Sequence, residues 1–129
     1  MQSYVLTPFY ELDNMHIMST EVRGNDLIVY YVFFNNFAYT NLENANFKNA
    51  GLGLAYFYSA NLTNANLSGA DLSKALLNSA DLSNANLSGA NLSGANLSGA
   101  NLSGADLSDV IYDQNTNLNC KNHPICLND

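Results

Sequence analysis

One five-residue step recurs without interruption through the middle of this chain. From Ala80 the sequence reads Ala-Asp-Leu-Ser-Asn once, Ala-Asn-Leu-Ser-Gly four times, then Ala-Asp-Leu-Ser ending at Ser108. Ala stands at every fifth position from Ala45 to Ala105, and Leu or Phe follows two residues later, from Phe47 to Leu107. Period five excludes both regular elements. In a helix five residues advance about 500°, a net turn of about 140°, so the leucines would spiral around it. In a continuous strand an odd spacing places successive leucines on opposite faces. A chain that bends once per repeat buries them all.

The repeat also shows where it bends. In an extended Ala-Asn-Leu segment the first and third side chains point one way and the second the other. Ala and Leu therefore go in, and Asn or Asp goes out. The next two residues make the corner. Its last position holds Gly at 69, 89, 94, 99 and 104, and Asn at 44, 49, 64 and 84. A type II turn requires positive φ there, which Gly takes without steric cost and Asn tolerates. Stacked coils would satisfy one another's backbone groups, with rungs roughly 4.7–4.9 Å apart. Other corner residues recur at twenty: Leu54 and Ser59, then Lys74 and Ser79; Asn44, Asn64 and Asn84 do the same. Twenty residues are four repeats, which predicts a square coil.

The A(D/N)Lxx repeat resembles the pentapeptide repeat family, especially its cyanobacterial members. The likeness spans residues 40–114, with fourteen consecutive centres from Leu42 to Leu107. It implies an all-β fold, a right-handed quadrilateral β-helix of about four to five coils. The handedness comes from the resemblance and not from the spacing.

Composition bounds the rest. The chain has 129 residues, the size of one domain, and 47% of them are apolar. That content, strictly phased, argues against the disorder that low-complexity sequence otherwise brings to mind. The net charge is −7, with four basic residues, which speaks against direct nucleic-acid binding through phosphates. No apolar run is long enough to span a membrane, and the N-terminus shows no basic region followed by an apolar core. The expected location is the cytoplasm.

Four regions are expected. Residues 1–19 form a tail or a small cap; His16 within it reads as a packed or solvated histidine rather than a ligand. Residues 20–39 form an irregular first coil that doubles as a lid, with Val22, Leu27, Val32 and Phe37 on the Leu/Phe phase. Tyr30 is too large for a slot that elsewhere holds Ala, and Leu27 to Phe34 reads as strand. Residues 40–114 form the regular solenoid, and Tyr112 still falls on the centre phase. Residues 115–129 form a C-terminal cap or tail, which is needed because an open coil end invites aggregation.

Few residues carry chemistry. Cys120, His123 and Cys126 invite a zinc reading, but structural zinc takes four ligands, usually from two separated pairs, and no second pair exists. A Cys120–Cys126 disulfide and two free thiols are the remaining readings; a reducing compartment disfavours the first. Asp71, Asp81 and Asp106 take the outward position on three different sides, so no two form an acid–base pair. No nucleophile–base pair, phosphate loop or cofactor motif is visible, and neither an enzyme nor a bound cofactor is expected. The expected function is a structural or protein-interaction module, a monomer or weak homodimer, whose protein partner the sequence does not name. The second reading is a DNA mimic that binds a type II topoisomerase (gyrase), as some members of the resembled family do; it would need a long, dense acidic face. One candidate site remains, an apolar patch. Tyr56 and Leu76 interrupt an otherwise polar outward column at a spacing of twenty, with Tyr58, Leu54 and Tyr39 beside them and Asn36 and Asn96 as neighbours in the column.

Overall fold

A computed structural model describes residues 15–33, as backbone apart from the turn at Gly24 and Asn25, and residues 35–127. The described chain divides into two units, one ending at Asn35 and one beginning at Asn36. In the first, β1 (Met15–Arg23) and β2 (Asp26–Phe33) pair antiparallel, with Arg23 opposite Asp26 and Met15 opposite Phe33. The register shifts once, between Ile17 and Ser19. The two-residue connection is Gly24-Asn25, with Gly24 at φ 63°. Gly-Asn between runs rich in β-branched and aromatic residues is a hairpin signal, because positive φ in the turn matches the twist of the strands.

This corrects the expected division of the N-terminal region. Residues 20–33 are strand and hairpin turn, not an irregular first coil, and residues 15–19 belong to the same hairpin. Asn25-Asp26-Leu27 imitates a repeat in composition, but it is the end of a turn and the start of β2. The strand reading of Leu27 to Phe34 coincides with β2 over residues 27–33. Residues 1–14, and with them most of the expected tail or cap, lie outside the described residues, as does the side chain of His16.

In the second unit the chain bends once every five residues and forms isolated parallel bridges. These join residues twenty apart: Asn41 to Asn61, Asn61 to Asp81, Asp81 to Asn101. Four pentapeptides therefore make each turn. The bridges begin at Asn36, four residues before the expected start, and extend to Lys121. Each side repeats the same four contacts, the last corner N–H meeting a carbonyl one turn on, as Asn84 meets Ser103 at 2.8 Å. Leu82 N–H donates to the Asn101 carbonyl at 2.8 Å, Asn101 N–H donates to the Ala80 carbonyl at 2.9 Å, and Ala85 N–H closes the corner on the Leu82 carbonyl at 3.0 Å. The last corner residue has positive φ whether it is Asn44 (63°), Leu54 (64°), Lys74 (57°) or Gly94 (69°). For residues such as Leu54 and Lys74 that conformation costs roughly 1–2 kcal/mol. The rung bonds above and below hold them in it.

The interior has the expected two kinds of column. Leu62 to Leu102 are wholly buried at every centre, and Ala55 to Ala100 at every slot two residues before. At the N-terminal end the column is aromatic. Phe37 stacks on Phe57 with centroids 5.0 Å apart, and Phe47 meets both edge-on at 5.5 and 5.9 Å.

The outward Asn and Asp do more than face water. The side-chain oxygen of Asn66 accepts the backbone N–H of Ser68 at 3.0 Å, and Asn86, Asn91 and Asn96 repeat the contact with Ser88, Ser93 and Ser98. This Asx turn pre-forms the corner. It explains why the outward position prefers these two residues over other polar ones, a reason that periodicity alone does not reveal.

Candidate interaction surface and the C-terminal cap

The column Asn36–Tyr56–Leu76–Asn96 is continuous, each residue bridged to the next. Tyr56 and Leu76 thus stand on adjacent rungs of one face. Tyr56 is half-buried and Leu76 is exposed. Tyr58 lies two residues beyond Tyr56, and its carbonyl accepts the Tyr39 N–H at 2.9 Å. The two rings meet edge to face with centroids 5.4 Å apart, and Tyr39 is 75% exposed. Leu54, also exposed, holds the preceding corner, where Leu54 N–H bonds the Ser73 carbonyl at 2.9 Å. One aromatic pair and two exposed aliphatic side chains thus lie along or at the corners of this face, whose column neighbours Asn36 and Asn96 are polar.

The carboxylates are dispersed. Asp71 bridges to Asn91, Asp81 to Asn61 and Asn101, and Asp106 to Asn86, so the three belong to different columns. For Asp71 and Asp106 the bonds from the Ser two residues on hold the carboxyl below its ordinary range. At Asp71 the Ser73 hydroxyl is the larger cause, and at Asp106 it is the Ser108 backbone N–H. Both shifts are the consequence of Asx turns and carry no mark of a reactive pair.

The last coil departs from the repeat in a compensated way. Six residues separate the rung positions Ile111 and Asn117, and four separate Asn117 and Lys121, where five is the rule. The extra residue lies in 112–116. Gly94 N–H would meet a backbone carbonyl there, as Lys74 N–H meets Ser93. It donates instead to Asp113 Oδ1 at 3.1 Å and Thr116 Oγ1 at 3.2 Å. Desolvation works against ionisation of Asp113, but donors from Asn115, Gly94 and Thr116 outweigh it and hold the carboxyl below its ordinary range. Tyr112, expected at the centre phase, follows the in-register Ile111 but is 53% exposed. On the next side the inserted residue moves the buried centre from position 117 to Leu118, which the sequence pattern did not show.

The missing residue is the corner between Asn119 and Cys120. Lys121 N–H bonds the Ala100 carbonyl, so Cys120 sits directly above Ala100, in the slot that Ala fills elsewhere. Cys120 and Cys126 are both buried and joined by a disulfide. With the two sulfurs joined to each other, thiolate ligation of zinc by these residues is chemically closed. Among the described residues no group of three His, Cys, Asp or Glu side chains is placed to hold a metal ion. No helix among them is long and apolar enough to cross a membrane.

The model of the family described as pentapeptide repeats matches in eight copies across residues 40–78, 55–94 and 75–111. A pentapeptide repeat protein from the Arabidopsis thaliana thylakoid lumen is 33% identical, with a TM-score of 0.60 over 67% of this chain; the chain covers 57% of that protein. Another, from Nostoc Pcc 7120, is 35% identical, with a TM-score of 0.60 over 70% of this chain and 78% of its own. QnrB1, a plasmid-mediated fluoroquinolone resistance protein, is 19% identical with a TM-score of 0.20, a likeness that supports no functional argument. No curated protein matches. The repeat, the twenty-residue rungs and the family match over residues 40–111 agree: this chain belongs to the pentapeptide repeat family, whose members form right-handed β-helices.

Proposed function

We propose that this chain is a non-catalytic scaffold of four to five right-handed, four-sided coils that presents one face to a protein partner. The carrying observation is the Tyr56–Leu76 rung pair flanked by the Tyr39–Tyr58 ring pair. Aromatic and aliphatic side chains grouped on one face, where most outward positions are polar, have the composition of an interface core. The dispersed carboxylates and the lack of any paired titratable cluster among the described residues support a role without chemistry. The gyrase-binding alternative wants a dense acidic face, and the columns carry their carboxylates singly, so no observation favours it. The Cys120–Cys126 bridge and the lumenal origin of the Arabidopsis relative favour an oxidising compartment over the cytoplasm for this chain.

The test is affinity capture from the source lysate with the unaltered protein and with a Tyr39→Ser, Leu76→Asn double variant, both checked for oligomeric state by sedimentation. A discrete protein retained by the first and lost by the second supports the reading. Equal capture by both sinks it. Recovery of gyrase subunits, with inhibition of supercoiling, would install the alternative.

A further inference from the structure

The observations carry furthest at the C-terminal end of the Ala column. Cys120 occupies an Ala slot above Ala100, and Cys126 closes over it from a segment that folds back. That segment leaves the rung at Asn122, whose φ is 64° and whose amide donates to Asn101 Oδ1 at 2.9 Å. A turn through Pro124 follows, with Cys126 N–H on the His123 carbonyl, and Leu127 N–H then bonds the Leu118 carbonyl. Apart from these contacts the disulfide is the covalent tie between the fold-back and the coil. The two sulfurs are not equally placed. A cleft of about 380 Å³ is lined by Asn122, His123, Pro124 and Cys126, and Cys120 forms none of its wall.

We infer that the Cys120–Cys126 bridge is a redox-sensitive latch on the end of the solenoid, opened by a dithiol reductant that attacks Cys126. The thiolate of the reductant enters the cleft and bonds Cys126 Sγ. The Cys120–Cys126 bond breaks, and Cys120 leaves as a thiolate that takes a proton from solvent. The second thiol of the reductant displaces Cys126, so two electrons pass to the protein and the reductant becomes a disulfide. Residues 122–127 then lose their covalent hold. The Leu118 carbonyl and the buried Leu118 and Cys120 side chains are uncovered, which turns a covered coil end into a strand edge able to pair. The coils below keep their own rungs, because solenoid units depend on nearest neighbours.

The experiment uses the full chain in native buffer. Dithiothreitol reduction is followed by thiol alkylation and mass, and amide exchange is read before and after. The expected result is reduction of the folded protein with loss of protection across Leu118–Leu127, while Leu62–Leu97 keep theirs. A brief exposure to reduced glutathione, quenched in acid, should leave the glutathione adduct on Cys126 and a free thiol at Cys120. Cys120→Ala keeps the slot filled and removes the bridge, and should reproduce the exchange pattern of the reduced protein. Resistance to dithiothreitol until the whole chain unfolds, unchanged protection after reduction or in Cys120→Ala, or an adduct on Cys120 would each overturn the inference.

Discussion

The middle coils and the last coil solve the same problem with different means. Between Ala60 and Gly89 the N–H groups of each side bond backbone carbonyls one turn away, each corner closes on its own Leu carbonyl, and the same five residues repeat the answer. Beyond Asp109 the rungs continue at Ile111, Asn117 and Lys121, but the segments between them no longer repeat. Thr116 Oγ1 stands in for a carbonyl in meeting Gly94 N–H and also donates to the Leu92 carbonyl at 3.1 Å, and a sulfur fills the space of the next coil's Ala. Repetition stabilises the interior through register, whereas the end relies on individual side chains. The middle should therefore be sensitive to phase and indifferent to most outward substitutions, and the end should be the reverse.

Deleting single residues tests this most severely. Removal of Asn91 should abolish cooperative unfolding of the native coil, because every later Leu leaves its column. Removal of residues 81–100, one complete turn, should leave a soluble protein with a β-type circular dichroism spectrum. Removal of Asn115, within the looser 112–116 segment, should be tolerated. Similar melting temperatures for the Asn91 and 81–100 deletions would break the comparison.

Next in size is overpacking of the small slot. Ala90→Leu should cost about 1–3 kcal/mol in denaturant unfolding, since the slot is closed above and below. Its outward neighbour Asn91→Ser should stay within about 0.5 kcal/mol. Equal losses would mean that inside and outside have been exchanged.

At the cap, Thr116→Val removes a hydroxyl that meets Gly94, Asp113 and Leu92 while keeping the shape. A loss of about 1 kcal/mol is expected, with increased amide exchange at Gly94 and Asn117. Ser93→Ala, on the rung below, should be near neutral by the same measurements. A Ser93 effect as large as that of Thr116 would remove the distinction between the two regions.

The smallest effect is that of pH. Asp71, Asp106 and Asp113 sit below the ordinary value of 3.8, so the folded state favours their ionised form. The stability this contributes is complete at neutral pH and is lost as pH falls through the lowered values. The melting temperature should be flat from neutral pH to about 5 and decline slightly below 4, the range in which aspartates titrate. A maximum on the acid side would reverse the sign and contradict the Asx-turn assignment.

The same contrast governs what was legible in the sequence. Inward Ala and Leu, outward Asn and Asp, and positive φ at the corner all follow from spacing, because each repeat sees only its neighbours. The Tyr56–Leu76 rung pair was legible for the same reason: a spacing of twenty fixes which residues stack. The hairpin was misread because Asn25-Asp26-Leu27 matches the repeat in composition; Gly24-Asn25 between β-branched runs was the signal that distinguishes it. The compensated slip at 112–121 has no local signature. Only the rungs of the preceding coil decide that Leu118, and not Asn117, takes the inward centre. Cys120 lies twenty residues after Ala100, so its slot follows from the spacing once the slip has cancelled; its pairing with Cys126 depends on the fold-back of residues 122–127, which no repeat encodes.

A unit that completes one side, rather than one turn, has a consequence for how such a chain lengthens. Duplicating Ala-Asn-Leu-Ser-Gly keeps Ala and Leu at every interior position, yet it advances all that follows by a quarter revolution. The Cys120 latch would then be carried around the axis to stand over a neighbouring wall, while the Tyr56–Leu76 face stayed where it was. Growth by pentapeptides acts as an indexing mechanism: the gene sets the angular offset between two surface features in four discrete steps, and a return to the original alignment requires four insertions.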